Sequence, residues 1–281
     1  MSFVTRFAPS PTGHLHLGHA YSALTAFGAA RAAGGRFLLR IEDIDQGRVR
    51  PEFEAAIYED LAWLGIEWET PVRRQSEHMG EYEEVLNGLI ARGLLYRDFR
   101  TRREIAQAIA SAPHGASEDV FRGEALAASE ETEKLTAEEP FAWRLSLKKA
   151  RAALGSAYFA LVLEDESGFV RADPEKHGDA VLARKDFPTS YHLASVWDDA
   201  LQGVTHVIRA EDLRDAAHLH VLLQKVLGLP QPVYRHHRLI LDEDGKRLAK
   251  RDQSVTLRAL RESGKTAEDA RALLRVNAFQ G

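Results

Sequence analysis

The chain has 281 residues, 44% of them hydrophobic, which is enough for one large or two ordinary domains, and its formal net charge of −5 does not indicate general nucleic-acid affinity. It contains no cysteine, which excludes disulfide bonds and metal sites held by thiolates. No apolar run of about 18 residues is present, nor is an N-terminal leader, so we expect a cytoplasmic protein without a membrane partner.

The first third of the chain alternates strand and helix patterns. The spacing of apolar residues predicts a strand, a helix, a strand and two helices, in that order, at residues 3–8, 17–33, 37–41, 51–64 and about 80–92. Leu17, Tyr21, Leu24 and Gly28 form the expected packing face of the first helix. Gly34 ends this helix, and Pro51 opens the second. This order is typical of a doubly wound parallel sheet.

The turn between the first strand and the first helix carries the most specific pattern, RFAPSPTGHLHLGH at residues 6–19. A helix N-terminus offers unpaired N–H groups and the positive end of a dipole, so it attracts anions. His16 and His19 add two donors, and Gly13 and Gly18 allow a ligand to approach the backbone. A histidine at a helix start is more often only a cap, but the ordered combination predicts a polyphosphate site.

From about residue 95 to 175 the pattern changes. Thr101 and Glu104 predict the capping box of a short helix, and residues 111–139 show little periodicity. Alternating segments then predict three strands, the last two joined as a hairpin, at residues 141–147, 157–163 and 168–172. We interpret this region as an inserted α+β domain.

Parallel α/β architecture is predicted to resume at Ala180. The pattern predicts strands at residues 180–183 and 204–208, each followed by a helix, at 190–201 and 215–227. Two short helices, at 255–262 and 267–276, are predicted to close the chain. We therefore expect a nucleotide-binding domain in two halves, residues 1–94 and 179–230. An inserted domain, residues 95–178, would lie between them, and residues 231–281 would form a C-terminal segment.

Four blocks resemble the class I aminoacyl-tRNA synthetases of the glutamyl and glutaminyl branch. They are the turn above, RIEDID, GVTHVIRAEDL and RLAKR, at residues 6–19, 40–45, 203–213 and 247–251. The resemblance implies a Rossmann-like doubly wound parallel sheet of class I synthetase type, with an inserted α+β domain and a short C-terminal helical segment. It also implies ATP, with Mg²⁺, as a substrate.

The resemblance assigns roles to individual residues. It implies His16, His19 and Lys250 as catalytic groups on the phosphates. It implies further ATP contacts from Pro9, Gly18, Arg247 and Lys250, and glutamate contacts from Arg6, Phe7, Ala8, Pro9, Ser10, Glu42, Tyr191 and Arg209. Guanidinium groups suit the carboxylates of glutamate, and the Glu42 carboxylate suits its ammonium.

Several of these residues also have an ordinary structural interpretation. Arg209 can form a salt bridge with Glu211 or Asp212, and Lys250 can be a surface lysine in a loop. Asp43 and Asp45, beside Glu42, can be no more than an acidic turn.

The chain departs from the family pattern at two places. In the second signature, normally Lys-Met-Ser-Lys-Ser, it has Arg247 in place of the first lysine and Ala249 in place of the first serine. Related enzymes often carry a zinc knob, but Asp98, Arg100 and Ala125 stand near its cysteine positions. We expect no zinc, and a knob held by packing alone.

The other histidines do not show the spacing of metal ligands. We expect His192, His206, His236 and His237 to be satisfied polar or RNA-facing residues, and we predict no metal site.

The expected function follows from the resemblance and from the absence of sequence after residue 281. Glutamyl-queuosine tRNA(Asp) synthetases stop at this point, so we expect a monomer that uses ATP, L-glutamate and tRNA(Asp) carrying queuosine. The alternatives are a truncated glutamyl-tRNA synthetase charging tRNA(Glu), a non-catalytic tRNA-binding paralogue, or a free-standing nucleotidyltransferase. Preference for glutamate over glutamine rests on the family likeness and on two arginines.

Overall fold

The computed structural model describes residues 2–110, 120–185, 187–240 and 256–274, without the side chains of 108–110. The strands in these ranges are β1 (Val4–Phe7), β2 (Arg36–Ile41), β3 (Glu69–Arg74), β4 (Leu95–Asp98), β5 (Ala142–Leu145), β6 (Val162–Asp165), β7 (Gly168–Arg171), β8 (Val181–Arg184), β9 (His206–Ala210) and β10 (Val233–His237). The helices are α1 (Leu17–Ala32), α2 (Pro51–Trp63), α3 (Met79–Ala91), α4 (Arg102–Ala110), α5 (Ala128–Thr136), α6 (Leu147–Leu154), α7 (Ser156–Phe159), α8 (Tyr191–Leu201), α9 (Ala216–Leu227), α10 (Leu257–Glu262) and α11 (Ala267–Leu274). Across the described part of the chain, no helix has the length and apolar character needed to cross a lipid bilayer.

Parallel strands form the centre of the molecule. β1, β2 and β3 pair in parallel, and so do β9 and β10. The two groups meet at β1, where the N–H of Thr205 donates to the carbonyl of Val4 at 2.9 Å. The chain runs outward from β1 to β2 on one side and returns to β9 on the other, so the order of the strands changes direction between β1 and β9. This confirms the predicted doubly wound sheet, and ligands of such sheets bind at the carboxyl ends beside this point.

Both faces of the parallel sheet are buried. Leu38 of β2 packs with Val4 in the core that also holds α8 and α9, whereas Phe37 and Leu39 pack in the core that holds α1 and α2. Burial on two sides explains why β2 reads as a continuous apolar run. It also fixes the register, because a shift by one residue would exchange the two faces.

Helix α1 packs on the sheet mainly through alanines, and this differs from the predicted face. Leu24 is buried as expected, but its buried companions are Ala20, Ala23, Ala26 and Ala30, while Leu17 and Tyr21 are only partly buried. Small side chains on this face let the helix lie close to the strands. An apolar pattern gives little weight to alanine, which is why the face was misplaced.

The region after α3 contains antiparallel structure. β5 pairs with both β4 and β8, and β6 pairs with β7 as the predicted hairpin. Two predictions were wrong here: β8 runs antiparallel to β5, so parallel structure does not resume at Ala180, and residues 157–159 are helical, so the strand begins at Val162. Helices α5 and α6 were also missed. The division of the chain into domains stays a prediction.

An ion-pair cluster lies around Asp98, in the region that was compared with a zinc knob. The two carboxylate oxygens of Asp98 accept from Arg100 Nε at 2.6 Å and Arg144 Nε at 2.5 Å, and the Asp98 side chain is 1% exposed. Both guanidinium groups lie over the ring of Phe121. This donor set does not fit zinc, because cations already occupy the carboxylate and no thiolate is available. The expectation of packing alone was wrong, since buried ion pairs also hold this region.

Candidate active site

A cavity of about 400 Å³ opens at the carboxyl ends of β1 and β9, beside the start of α1. The predicted residues that line it are Arg6, Phe7, Ala8, His16, Gly18, His19, Glu42, Tyr191 and Arg209. Pro9 and Ser10 do not line it. Pro9 is buried, with its carbonyl accepting the N–H of Glu42 at 3.0 Å, and Ser10 is exposed. Arg247 and Lys250 lie outside the described residues.

The start of α1 is capped by histidines. His16 is the N-cap, and its Nδ1 accepts the N–H of Gly18 at 3.1 Å, while Nδ1 of His19 accepts the N–H of His16 at 3.2 Å. Because both Nδ1 atoms act as acceptors, each neutral ring carries its proton on Nε2. A Cβ at position 18 would lie 2.9 Å from the ring of His16, which explains the glycine. Capping therefore fixes the tautomer in which His16 and His19 are Nε2–H donors.

The C-terminal part of the chain returns to this helix start. Thr256 forms an antiparallel bridge with His16, and the N–H of Leu257 donates to the carbonyl of Leu15 at 2.8 Å. Ile240 lines the cavity. The described residues on either side of 241–255 thus both lie at the site.

A buried charge network supports the floor of the cavity. Arg6 Nε donates to Asp199 Oδ1 at 2.9 Å, and Arg40, which is 0% exposed, donates to the same oxygen at 2.6 Å and to Glu42 at 3.0 Å. Burial raises the pKa of Asp199, but Arg6 and Arg40 more than offset this, so the pKa lies below its ordinary value. For Glu42 burial outweighs Arg40, and its pKa is raised. Glu42 is therefore a carboxylate that would gain from a further cation.

Asp198 and Asp199 were not predicted as site residues. Asp198 accepts from Arg73 Nε at 2.8 Å and from the Tyr82 hydroxyl at 2.8 Å, and it is fully buried. A usable signal was present, because Asp199 lies three residues after the apolar Val196 and so shares the buried face of α8. An acid on an apolar helix face indicates a buried cation.

Arg209 has a different environment from Arg6. Its Nε donates to His236 Nε2 at 3.3 Å, and its Nη1 lies 3.3 Å from the Tyr191 hydroxyl and 3.5 Å from His220 Nδ1. Nη2 is buried without a partner, and the residue is 5% exposed. Within the described residues no carboxylate pairs with Arg209, so the expected alternative of a bridge to Glu211 or Asp212 is not what the structure shows.

The histidines beside Arg209 are neutral. Burial first, and then the charge of Arg209, lowers the pKa of His236 to about 4. The same two causes place the pKa of His220 well below its ordinary value. Both rings can therefore accept a hydrogen bond at neutral pH but supply no negative charge.

Other cavity residues were missed, and some of them lie in or just after β10, which was not predicted. They include Ser22, whose hydroxyl lies 2.7 Å from Nε2 of His237, together with Leu239 and Ile240. Asp43 lies outside the cavity and accepts the N–H and the hydroxyl of Ser76, at 2.8 and 2.6 Å. Asp43 thus has the structural role that was its alternative interpretation.

Sequence comparison relates the chain to known tRNA synthetases. Residues 2–279 match the family of tRNA synthetases class I (E and Q), catalytic domain. A glutamyl-Q tRNA(Asp) synthetase of Rhodobacter capsulatus is 47% identical over 279 residues, covering 96% of this chain and 99% of that protein. A second, of Symbiobacterium thermophilum, is 42% identical and covers 94% and 82%. The glutamate–tRNA ligase of Aquifex aeolicus is 39% identical and covers 92% and 54%.

Solved structures give the same relationship. The glutamate tRNA ligase of Elizabethkingia meningosepticum, in complex with its amino acid, superposes with a TM-score of 0.71 at 32% identity. The glutamate–tRNA synthetase of Elizabethkingia anophelis superposes with a TM-score of 0.73, also at 32% identity. The match covers 90% of this chain in both cases, and the chain spans about half the length of each, 52% and 53%. The chain therefore belongs to the class I tRNA synthetase family of the E and Q type, which uses ATP as a substrate, and is a ligase of that type.

Proposed function

We propose that this chain activates L-glutamate with ATP to form glutamyl-adenylate and transfers the glutamyl group to the queuosine base in the anticodon of tRNA(Asp). The observation that carries the glutamate assignment is Arg209. Arg209 faces the cavity and is 5% exposed. One nitrogen of its guanidinium has no partner, and no carboxylate among the described residues pairs with it. A buried unpaired charge is costly, so the ligand that belongs there is an anion.

The remaining groups of glutamate have partners in the same cavity. Its ammonium would meet Glu42, whose raised pKa shows that the Arg40 charge does not fully compensate its burial. With the side-chain carboxylate of glutamate at Arg209, the reacting α-carboxylate would meet Arg6, which lies beside Glu42 at the end of β1, and Tyr191 would be a phenolic contact. Phe7 and Ala8 complete this wall. Pro9 and Ser10 would be neighbouring contacts of the glutamate, although neither lines the cavity.

The phosphates of ATP would lie at the start of α1. The N–H groups there, the close approach allowed by Gly18, and the Nε2–H donors of His16 and His19 suit polyphosphate oxygens. In the reaction a carboxylate oxygen of glutamate attacks the α-phosphorus, a mixed anhydride forms, and the bond to the β-phosphate oxygen breaks to release pyrophosphate. His16 and His19 would donate to the oxygens on which charge develops.

Lys250 and Arg247 belong to the same proposal. Because Ile240 lines the cavity and Thr256 pairs with His16, the chain on both sides of these residues lies at the site. Lys250 would pair with the departing pyrophosphate, and Arg247 would contact the phosphates as a planar cation. Mg²⁺ would enter with ATP, since no cluster of three metal-binding side chains exists among the described residues.

The queuosine step rests on relatives. The two glutamyl-Q tRNA(Asp) synthetases above are similar to this chain over 94% or more of its length, and one of them is covered almost completely. In this second step a hydroxyl of the queuosine ring would attack the activated carbonyl and release AMP. Since its substrates are ATP and tRNA, we propose that the chain works in the cytoplasm, as a monomer.

Two assays test the proposal. The first measures glutamate-dependent ATP–pyrophosphate exchange without tRNA, and we expect exchange. The second offers labelled glutamate with tRNA(Asp) carrying queuosine, the same tRNA lacking queuosine, and tRNA(Glu). We expect only the first RNA to be labelled.

Each other outcome contradicts a named part of the proposal. Label at the 3′ end of tRNA(Glu) would make the chain a truncated glutamyl-tRNA synthetase. Tight tRNA binding without exchange would make it a non-catalytic paralogue, and exchange that needs no glutamate would indicate a nucleotidyltransferase.

A further inference from the structure

Among the described residues, two buried arginines, Arg6 and Arg209, line the cavity, and their charges are held in opposite ways. Arg6 donates to the carboxylate of Asp199 at 2.9 Å, so its charge is balanced inside the protein. Arg209 is held by the imidazoles of His236 and His220 and by the Tyr191 hydroxyl. Its three acceptors are all neutral.

The protons of these histidines are fixed by their contacts. His236 accepts from Arg209 through Nε2, so its proton is on Nδ1, which is buried without a partner. His220 faces Arg209 through Nδ1, and its Nε2 lies 3.1 Å from Nδ1 of His192. His220 therefore donates through Nε2 to His192, and both rings that face Arg209 are neutral acceptors.

The kind of acceptor at positions 236 and 220 decides how much of the Arg209 charge is balanced before a ligand binds. A carboxylate at position 236 or 220 would hold Arg209 with stronger, charge-assisted hydrogen bonds. It would also balance the guanidinium charge in advance, and an anionic ligand would then gain less on binding. Neutral acceptors orient the guanidinium and leave its charge for the ligand.

We propose that His236 and His220 are positioning residues that set the preference of this site for an amino acid with a side-chain carboxylate over its amide. This inference rests on the proposed activation of glutamate and assigns the selection to the residues behind Arg209. The pair His236 on β10 and His220 on α9 fixes the guanidinium from two elements.

The decisive variant is His236→Glu, which keeps an acceptor and adds a negative charge. We expect kcat/KM for glutamate in ATP–pyrophosphate exchange to fall about tenfold or more, mainly through KM, because the lost interaction is with the bound side chain. The kcat/KM for glutamine should not fall in parallel, so the glutamate-to-glutamine ratio of kcat/KM should fall by a similar factor.

Two variants serve as matched comparisons. His236→Gln keeps a neutral acceptor and should retain the ratio. Arg235→Gln lowers the formal charge by the same single unit at the adjacent exposed residue of β10, and it should also retain the ratio. A purely structural role of His236 would lower kcat/KM for both amino acids together and leave the ratio unchanged.

His220→Glu gives an independent test on α9, for the case that His236→Glu does not fold. The proposal is overturned if the ratio stays at the wild-type value in whichever glutamate variant folds, or if His236→Gln loses the ratio as His236→Glu does. Failure of the proposed function would look different, because wild-type protein would then show no glutamate-dependent exchange.

Discussion

Thr256 forms an antiparallel bridge with His16, the residue that caps the helix at the candidate phosphate site. The C-terminal part of the described chain is therefore attached to its N-terminal part, and Ile240 lines the cavity beside the same helix start.

This attachment leads to a prediction for Lys250. Replacing it with alanine removes a cation that would face the departing pyrophosphate, and we expect the exchange rate to fall roughly a hundredfold. Lys265→Ala, at an exposed lysine between α10 and α11, is the control and should leave the rate unchanged. Equal rates for Lys250→Ala and wild type would remove Lys250 from the mechanism.

Asp199 should matter for stability. Asp199→Asn leaves Arg6 and Arg40 buried with less counter-charge, and we expect the free energy of unfolding to fall by about 3–5 kcal/mol. Urea denaturation measures this. Glu69→Gln, which breaks the exposed pair with Arg36, should cost no more than about 1 kcal/mol. Similar losses for the two variants would show that burial of the network is unimportant.

Arg209 should matter for function and not for stability. Arg209→Met removes a buried cation without a carboxylate partner, so we expect the free energy of unfolding to stay equal or rise. Glutamate-dependent exchange should be lost, because the ligand's carboxylate would have no cation there. A clear loss of stability would mean that the guanidinium is already compensated in the empty protein.

The region of Asp98 should be independent of metal. Dialysis against a chelator, followed by return of Mg²⁺, should leave the unfolding midpoint and the exchange rate unchanged, and metal analysis should find no stoichiometric zinc. Asp98→Asn should lower the midpoint, because Arg100 and Arg144 lose a shared carboxylate charge. Glu124→Gln, in an exposed pair with Lys148, is the control and should not. Stoichiometric zinc in purified protein would contradict this interpretation.

Stability should fall in mild acid. Burial and Arg209 lower the pKa of His236 from 6.5 to about 4 in the folded protein. Between these values the unfolded chain binds one more proton at this site, so the free energy of unfolding decreases as pH falls from 6.5 to 4, by up to about 1.4 kcal/mol per pH unit. His192, with a pKa of about 4 from burial and from His177 and Arg209, acts in the same sense.

The variant His236→Gln tests this assignment. It should flatten the dependence of unfolding free energy on pH in this range, whereas Lys225→Gln, at an exposed lysine of α9, should not. The carboxyl of Asp60, whose pKa burial raises to about 6 against the opposing charge of Arg261, works in the opposite direction and is present in both variants. An unchanged slope in His236→Gln would place the titrating group elsewhere.

Much of the fold could be predicted because local signals agreed with it. The apolar run of β2, the proline that opens α2 and the left-handed Gly228 that ends α9 each have a direct physical meaning in the sequence. The direction of β8 could not be predicted in this way, because it is set by pairing with β5, a strand that is distant in the sequence. β10 was missed since its alternation, Val233 to His237, places a histidine in the core.

The site divides along similar lines. One short motif contains Arg6, His16 and His19, so their shared position in the site could be predicted from the sequence alone. Asp199 and His236 reach the same cavity from elements far along the chain, and an aspartate or histidine alone carries no signal of its partner. Their roles depend on burial next to Arg6 and Arg209, which only the packed structure provides.

Arg40 has a consequence for the order of events during synthesis. Its guanidinium has no exposed surface, and two of its three carboxylate partners, Asp198 and Asp199, lie beyond the insertion. The N-terminal strands leave the ribosome well before these aspartates are made, and enclosing an arginine without them would be strongly unfavourable. We therefore expect β1 and β2 to reach their packed arrangement around Arg40 only after α8 has been synthesised.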